Sequence, residues 1–364
     1  MPLTQVSPGL LDSNAQYYGM KSRIINGAMV IDQRNAGASI TLATGVQAYP
    51  VDRFPAYKGT SGATVTAQQS STAPAGFVNS IVFTASTGAT PAAGDINVAW
   101  QVIEGYNMAD LGWGTANAQA ITISFWVRSS VTGTYSVSLT NSATTRFYVA
   151  TYTVNSANTW EQKTITVAGD TSGTWLTNNG FGLQIAWDLG YGTNFNGSAG
   201  AWGSSTIRRT SGSVQFVATN GATFYITGVQ LEKGSTATSF DYRPYGTELN
   251  LCQRYYYRNF PGAVARALSA HLSGTTTTTA ATVIQFPVEM RTAPTALEQT
   301  GTASDYEIVS GSTAVTLSAV PAFNNATNIM TRTDLTVASG IAAGQSGWLR
   351  ARTTAAYLGW SAEL

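Results

Sequence analysis

The chain is 364 residues long, enough for two or three domains, each with a core of its own. Only 10% of its residues are charged, and 19 Lys plus Arg nearly cancel 18 Asp plus Glu, so there is no basic field to attract a nucleic-acid backbone. One cysteine and one histidine exclude an intrachain disulfide framework and a Cys/His zinc site, and 36 glycines among many Thr, Val and aromatic residues favour extended chain and tight turns. Residues 1–20, with Pro2, Pro8, Gly9 and Gly19, read as an extended arm that is either a frayed terminus or a tether. The segment begins MPLTQVSPGLL, without the basic start and apolar core of a signal peptide, and no apolar run is long enough to span a bilayer. The expectation is a protein made in a cytoplasm, without export by the general secretory route or membrane insertion.

From Arg23 to Asp32 the pattern predicts a first strand, interrupted at Asn26-Gly27 where both residues tolerate positive φ. Asp32, Arg34, Asp52 and Arg53 are placed to pair at a sheet edge. Between Phe77 and Val167 strand signals recur in FVNSIVFTAS, DINVAWQVIEG, AITISFWVRSS, GTYSVSLTNS, RFYVATYTV and WEQKTITVAG. These segments are short, alternating and separated by turn residues, which suits an antiparallel sandwich. In AITISFWVR, Ile121, Ile123, Phe125 and Val127 point one way and Trp126 and Arg128 the other. Next comes FGLQIAWDLGYGTNFNGSAGAWGSS, a strand running into a Gly/Asn/Ser loop studded with Trp187, Tyr191, Phe195 and Trp202. Such rings either cover the C–H face of a sugar or plug the open end of the sandwich; Trp187, Tyr191 and Trp202 are the candidate ligand contacts here.

The stretch from Ala222 to Arg258 closes the first domain. Phe224, Ile226, Val229 and Leu231 alternate with polar residues in a strand broken at Gly228, and a turn follows at Lys233-Gly234. Pro244 stops any helix arriving from upstream. From Thr247, a plausible N-cap, Leu249, Cys252 and Tyr256 fall on one helical stripe, with Cys252 read as a small buried hydrophobe. These three are the candidate oligomer contacts: a low-charge surface and Tyr255 to Tyr257 beside the stripe favour a homotrimer. The other reading is a helix lying on its own sandwich. Residues 262–364 change texture, with the low-complexity run Thr275 to Thr279, an edge strand in VIQFPVEMRTAPT, and further strands in DYEIVSG, TAVTLSAV, DLTVASG, GWLRART and AAYLGWSAEL. Tyr306 and Trp348 are the candidate contacts in this half.

The fold class is therefore all-β: a jelly-roll-like antiparallel β-sandwich, a short connecting helix and a second, C-terminal β-sandwich domain. The boundaries are 1–45 for the arm and first strand, 46–246 for the sandwich, 247–261 for the helix and linker, and 262–364 for the distal domain. YITGVQLEKGSTATSFDYRPYGTELNLCQRYY resembles the closing segment of a sandwich domain in tail-fibre and other virion-surface proteins of tailed, including marine-type, bacteriophages. KSRIINGAMVIDQRNAGAS is similar to the opening segment of those proteins, and FPVEMRTAPT and YLGWSAEL to the distal domain that follows it. ITISFWVRSS and FYITGVQLEKG also resemble jelly-roll carbohydrate-binding modules attached to glycoside hydrolases. The resemblance implies a virion protein assembled in the host cytoplasm and attached to other tail or capsid proteins through its N-terminal arm. It further implies a fibre that binds a cell-surface glycan or protein; a capsid or baseplate decoration protein and a depolymerising module are the alternatives.

No catalytic constellation is legible. Hydrolysis of a glycosidic bond generally needs two facing carboxyl groups, whereas Asp95, Glu104, Asp110, Glu161, Asp170 and Asp188 are scattered singly. Asp188, beside Trp187 and Tyr191, is the best candidate acid, although an Asp next to a Gly turn is more often a loop cap. His271 stands in a Ser/Gly/Thr-rich run, and the chain has no GxSxG elbow, phosphate-binding loop or β-helix repeat. No cofactor or metal is expected; jelly-roll modules often hold calcium, but no acidic loop signature supports one.

Overall fold

A computed structural model describes residues 21–260 and 262–364; residues 1–20, read as an extended arm, lie outside them. Two compact units divide at Glu248 and Leu249. The first contains β1 (Ile40–Thr41), β2 (Gln47–Val51), β3 (Phe54–Lys58), β4 (Thr64–Ser70), β5 (Ser80–Thr87) and β6 (Asn97–Glu104). It continues with β7 (Ile121–Ser129), β8 (Gly133–Thr140), β9 (Phe147–Val154), β10 (Glu161–Val167), β11 (Phe181–Asp188) and β12 (Ala222–Lys233). These form two six-stranded antiparallel sheets, ordered β1-β4-β5-β12-β7-β10 and β2-β3-β6-β11-β8-β9.

Period-2 alternation places one face of each sheet in a shared core. Ile121, Ile123, Phe125 and Val127 of β7 are wholly buried, as the alternation in AITISFWVR requires, while Trp126 and Arg128 on its other face are half-buried. Aromatic rings bridge the sheets: Phe125 meets Trp187 edge-on at 5.8 Å and Tyr152 at 5.0 Å, and Tyr135 lies 5.7 Å from Phe224. Each such pair contributes roughly 0.5–1.5 kcal/mol beyond the area it buries. β12 carries the expected break: Gly228 has φ of 61° and the register with β7 shifts between Thr227 and Gln230.

Residues 23–32 do not form the expected strand. Asn26 and Met29 both adopt positive φ, and the Asn26 side chain closes the resulting turn by donating to the carbonyls of Ile31 and Asp52 and accepting from the Ile31 amide. Gly27 is needed for space, since a Cβ there would sit 2.0 Å from the Val229 carbonyl oxygen. Ile24, Met29 and Leu42, from the segment read as arm and first strand, are buried in the sandwich core. Of the four charges expected at the edge, Arg34 and Asp52 approach to 3.8 Å, and Asp32 accepts from the amides of Asn35 and Gly37.

The helix α1 (Tyr245–Gln253) opens two residues before Thr247, with the Pro244 carbonyl accepting from the Glu248 amide. The remainder of the expected linker contains β13 (Tyr256–Asn259), followed by β14 (Leu272–Gly274), β15 (Thr279–Gln285), β16 (Tyr306–Ser310), β17 (Thr313–Ala326), β18 (Met330–Val337), β19 (Ser346–Ala351) and β20 (Leu358–Ser361). This unit is all β, as expected, and its sheet closes on itself in the order β14-β15-β18-β17-β16-β19. A barrel thus stands where the sequence reading has a second sandwich, and β15, read as an edge strand, is paired on both sides. Outside the barrel, β13 pairs with β20, matching Tyr256 to Ser361 and Asn259 to Leu358.

Candidate functional site

The outer face of the second sheet carries an open groove, and the register explains its floor. Tyr57 of β3 is the cross-strand partner of Val98 of β6, and Trp100 stands two residues on, opposite Ala186 of β11. Gln184 shares that face of β11, so Tyr57, Val98, Trp100 and Gln184 project together, away from the core. Thr144 and Phe147, from the turn into β9 and its first residue, form one wall. Tyr191, Phe195, Thr206 and Arg208, from the long loop after β11, form the other, with Ile96 completing a volume of about 420 Å³.

A built anchorage holds that loop in place. The Asp188 carboxylate accepts from the amides of Gly190 at 2.7 Å and Tyr191 at 2.8 Å, so this residue is indeed a loop cap. Its other oxygen lies 3.5 Å from Nε of Arg209, whose remaining nitrogens donate to the carbonyls of Tyr191 and Ser213. Burial pushes the Asp188 carboxyl up to about 6, with Arg209 and the two amides pulling against it, and the same burial raises the Tyr191 phenol. Phe147 and Gly203 exchange two backbone hydrogen bonds of 2.9 Å, and the Arg208 amide donates to the Phe195 carbonyl. The Arg208 guanidinium lies 4.8 Å over the Phe147 ring, and Tyr191 packs against Phe195 at 5.3 Å. Burial lowers the Arg208 pKa.

Flat rings in a groove cover the C–H faces of a pyranose, and amide and hydroxyl groups nearby bind its polar edge. The lining supplies both kinds of group and, among the described residues, contains no carboxylate. Asp170 pairs with Arg146 at 2.6 and 2.8 Å, Glu161 with Lys163 and Asp110 with Arg23, Asp95 accepts from Thr60, and the carboxylates of Asp241 and Glu248 share Arg243.

The candidate residues separate. Tyr191 lines the groove but is only 4% exposed, so its ring fills one end. Trp187 shares a face with Leu183 and Ile185, is 1% exposed and belongs to the core, where it meets Phe54 and Phe125. Trp202 packs edge-on against Trp113 and Trp175, both at 5.3 Å, and donates to the Ala168 carbonyl, a plug of rings rather than a platform. Tyr306 is fully buried and its hydroxyl donates to the Tyr357 carbonyl, whereas Trp348 is 37% exposed. Cys252 and Tyr256 are buried within the chain, Tyr256 donating to Glu298 at 2.8 Å, and only Leu249 of the expected oligomer stripe is half-buried. Tyr57, Trp100, Phe147, Gln184 and Arg208 went unread. Their signal is weak: NVAWQVIE is buried on both faces of β6, so alternation cannot single out Trp100.

No family model matches the chain, and no curated protein matches it. Among solved structures it aligns with the enzymatically active domain of tailspike protein 4 of bacteriophage CBA120, at 13% identity and a TM-score of 0.28 over 58% of this chain and 21% of that one. It aligns with the family 11 carbohydrate-binding module from Clostridium thermocellum at 12% identity and a TM-score of 0.28, over 56% of this chain and 100% of that one. A third alignment is with the carbohydrate-binding and catalytic modules of xylanase 10B from Clostridium thermocellum, at 11% identity and a TM-score of 0.28 over 57% of this chain and 31% of that one. At such identities no binding residue is carried over from these structures to this chain.

Proposed function

We propose that the first unit binds a glycan without cleaving it, in the groove over the second sheet. The observation that carries this reading is the face shared by Tyr57, Trp100 and Gln184, with Phe147 beside it and hydroxyls of Thr144 and Thr206 at the rim. The acids are held by cations, hydroxyls and amides, Asp188 by the Gly190 and Tyr191 amides and Arg209, which supports a non-catalytic role. Affinity electrophoresis of the full chain in gels containing purified bacterial, algal and plant polysaccharides tests it. Retardation by at least one polymer, lost in Trp100→Ala, is expected. Unaltered migration in every gel would sink the reading, and release of reducing ends would replace it with a depolymerising module.

We further propose that the protein is a virion component of a tailed phage, a tail fibre or similar host-recognition fibre attached to the particle through its N-terminal arm. Support comes from the likeness of residues 21–39 and 225–256 to the opening and closing segments of such proteins. In this role weak single-site contacts are multiplied by several copies on one particle, in a homotrimer. Gold-labelled antibody is expected on the tail; label over the head shell would favour a decoration protein instead.

A further inference from the structure

Arg208 and Arg209 are neighbours in sequence with opposite fates. Arg209 is 2% exposed and fully occupied, by Asp188, the Tyr191 carbonyl and the Ser213 carbonyl. Arg208 lines the groove, and its Nη1, sealed from water, has no hydrogen-bond partner. Among the described residues no carboxylate stabilises its charge, and Tyr191 is the ionisable group that acts on it. The guanidinium carbon instead lies 4.8 Å from the centre of the Phe147 ring, a contact that helps to position it. A guanidinium stays protonated in proteins, so the groove wall holds a partly desolvated cation without a counter-charge.

We infer that the groove selects a saccharide bearing an anionic substituent, a uronate carboxylate or a sulfate ester, received by Arg208. This rests on the reading of the groove as a glycan site. An anion delivered by the ligand supplies the counter-charge that the guanidinium lacks, and the planar fork is suited to meet two of its oxygens at once. Tyr57, Trp100 and Phe195 then cover the sugar rings on either side, so that charge sets the choice of ligand and stacking holds the chain.

Titration calorimetry of the full chain distinguishes the two claims. The probes are polygalacturonate and its carboxyl-reduced form, κ-carrageenan and its desulfated form, and neutral xylan and laminarin. Wild type is expected to bind one anionic polymer about ten- to a hundred-fold more tightly than its neutral counterpart, the range of a charge-assisted hydrogen bond. The uronate and sulfate pairs tell the two sources apart. Arg208→Gln should abolish the preference while leaving residual neutral binding, and Arg208→Lys should keep part of it. Added salt should weaken the wild type and not Arg208→Gln. Melting curves of both variants check that they fold. Equal binding of anionic and neutral forms, or a preference that survives in Arg208→Gln, overturns the inference while Trp100-dependent binding keeps the glycan site. Loss of neutral and anionic binding together in Arg208→Gln also overturns it, since Arg208 would then serve sugar hydroxyls. Absence of binding to every probe overturns both.

Discussion

Trp187 of β11 is paired with Ala99, one residue before Trp100 on β6, and that offset sends the two indoles to opposite faces of the same sheet. Removing each should therefore do different things. Trp187→Ala is expected to cost about 3–5 kcal/mol of stability, read by denaturant unfolding. Trp100 is 9% exposed at the floor of the proposed groove, so Trp100→Ala should lower glycan affinity roughly ten-fold or more and also lose stability. Tyr57→Ala, at a half-buried position of the same face, is expected to weaken binding with the smaller change in unfolding. The fate of Trp187 is legible in FGLQIAWD, where it has the parity of Leu183 and Ile185; reading it with the aromatic loop that follows hid this. Trp100 is not legible, because a strand whose two faces are both covered shows no alternation. Asp188 makes a prediction of another kind. Its folded-state pKa is raised to about 6 from 3.8, so folding favours the protonated form. The stability this group contributes is complete below the unfolded pKa and is lost as pH rises through about 6, by roughly 3 kcal/mol in all. The difference in unfolding free energy between wild type and Asp188→Asn, followed from pH 4 to 7, should fall by that order. A flat or rising difference would show that Arg209 outweighs burial.

At the scale of elements, strand positions follow from alternation and turn residues, and all six expected segments between Phe77 and Val167 are strands, β5 to β10. The expected strand at 23–32 failed because Asn26 uses its side chain to close a turn, a choice that propensity alone does not reveal. Closure of the second unit was equally hidden, since it depends on pairing Leu272 with Gly347, distant in the chain. Gly228 shows what a correctly read break requires. A Cβ there would approach the Phe77 ring to 2.7 Å at a φ of 61°, whereas Gly221, at 75°, has open space. Gly221→Ala should thus cost about 1 kcal/mol, the conformational penalty alone, and Gly228→Ala clearly more. Equal losses in thermal melts would mean that Phe77 moves aside freely.

Each unit has its own apolar core, one centred on Phe125 and Phe224 and the other on Leu335, Leu349 and Trp360. Residues 249–364 expressed alone are accordingly expected to unfold cooperatively, with a transition matching one of two seen by calorimetry in the whole chain. A single transition in the whole chain and none in the fragment would show that the units fold as one. Sedimentation addresses the proposed trimer. Burial of Cys252 and Tyr256 within one chain leaves Leu249 as the contact of the expected stripe still open to a second copy, so a trimer built on that stripe should weaken in Leu249→Ala, and one that persists uses other surfaces.

The pairing of β13 with β20 has a mechanical side. Tyr256, where the chain enters this ribbon, sits opposite Ser361, where the chain leaves it, so a load applied through the backbone on those two sides meets the hydrogen bonds one after another. Such a ribbon peels like a zip at low tension, and Trp360 is drawn out of its packing early. A load applied to the barrel at any other point would leave the zip closed, which makes the direction of tension a determinant of when this unit gives way.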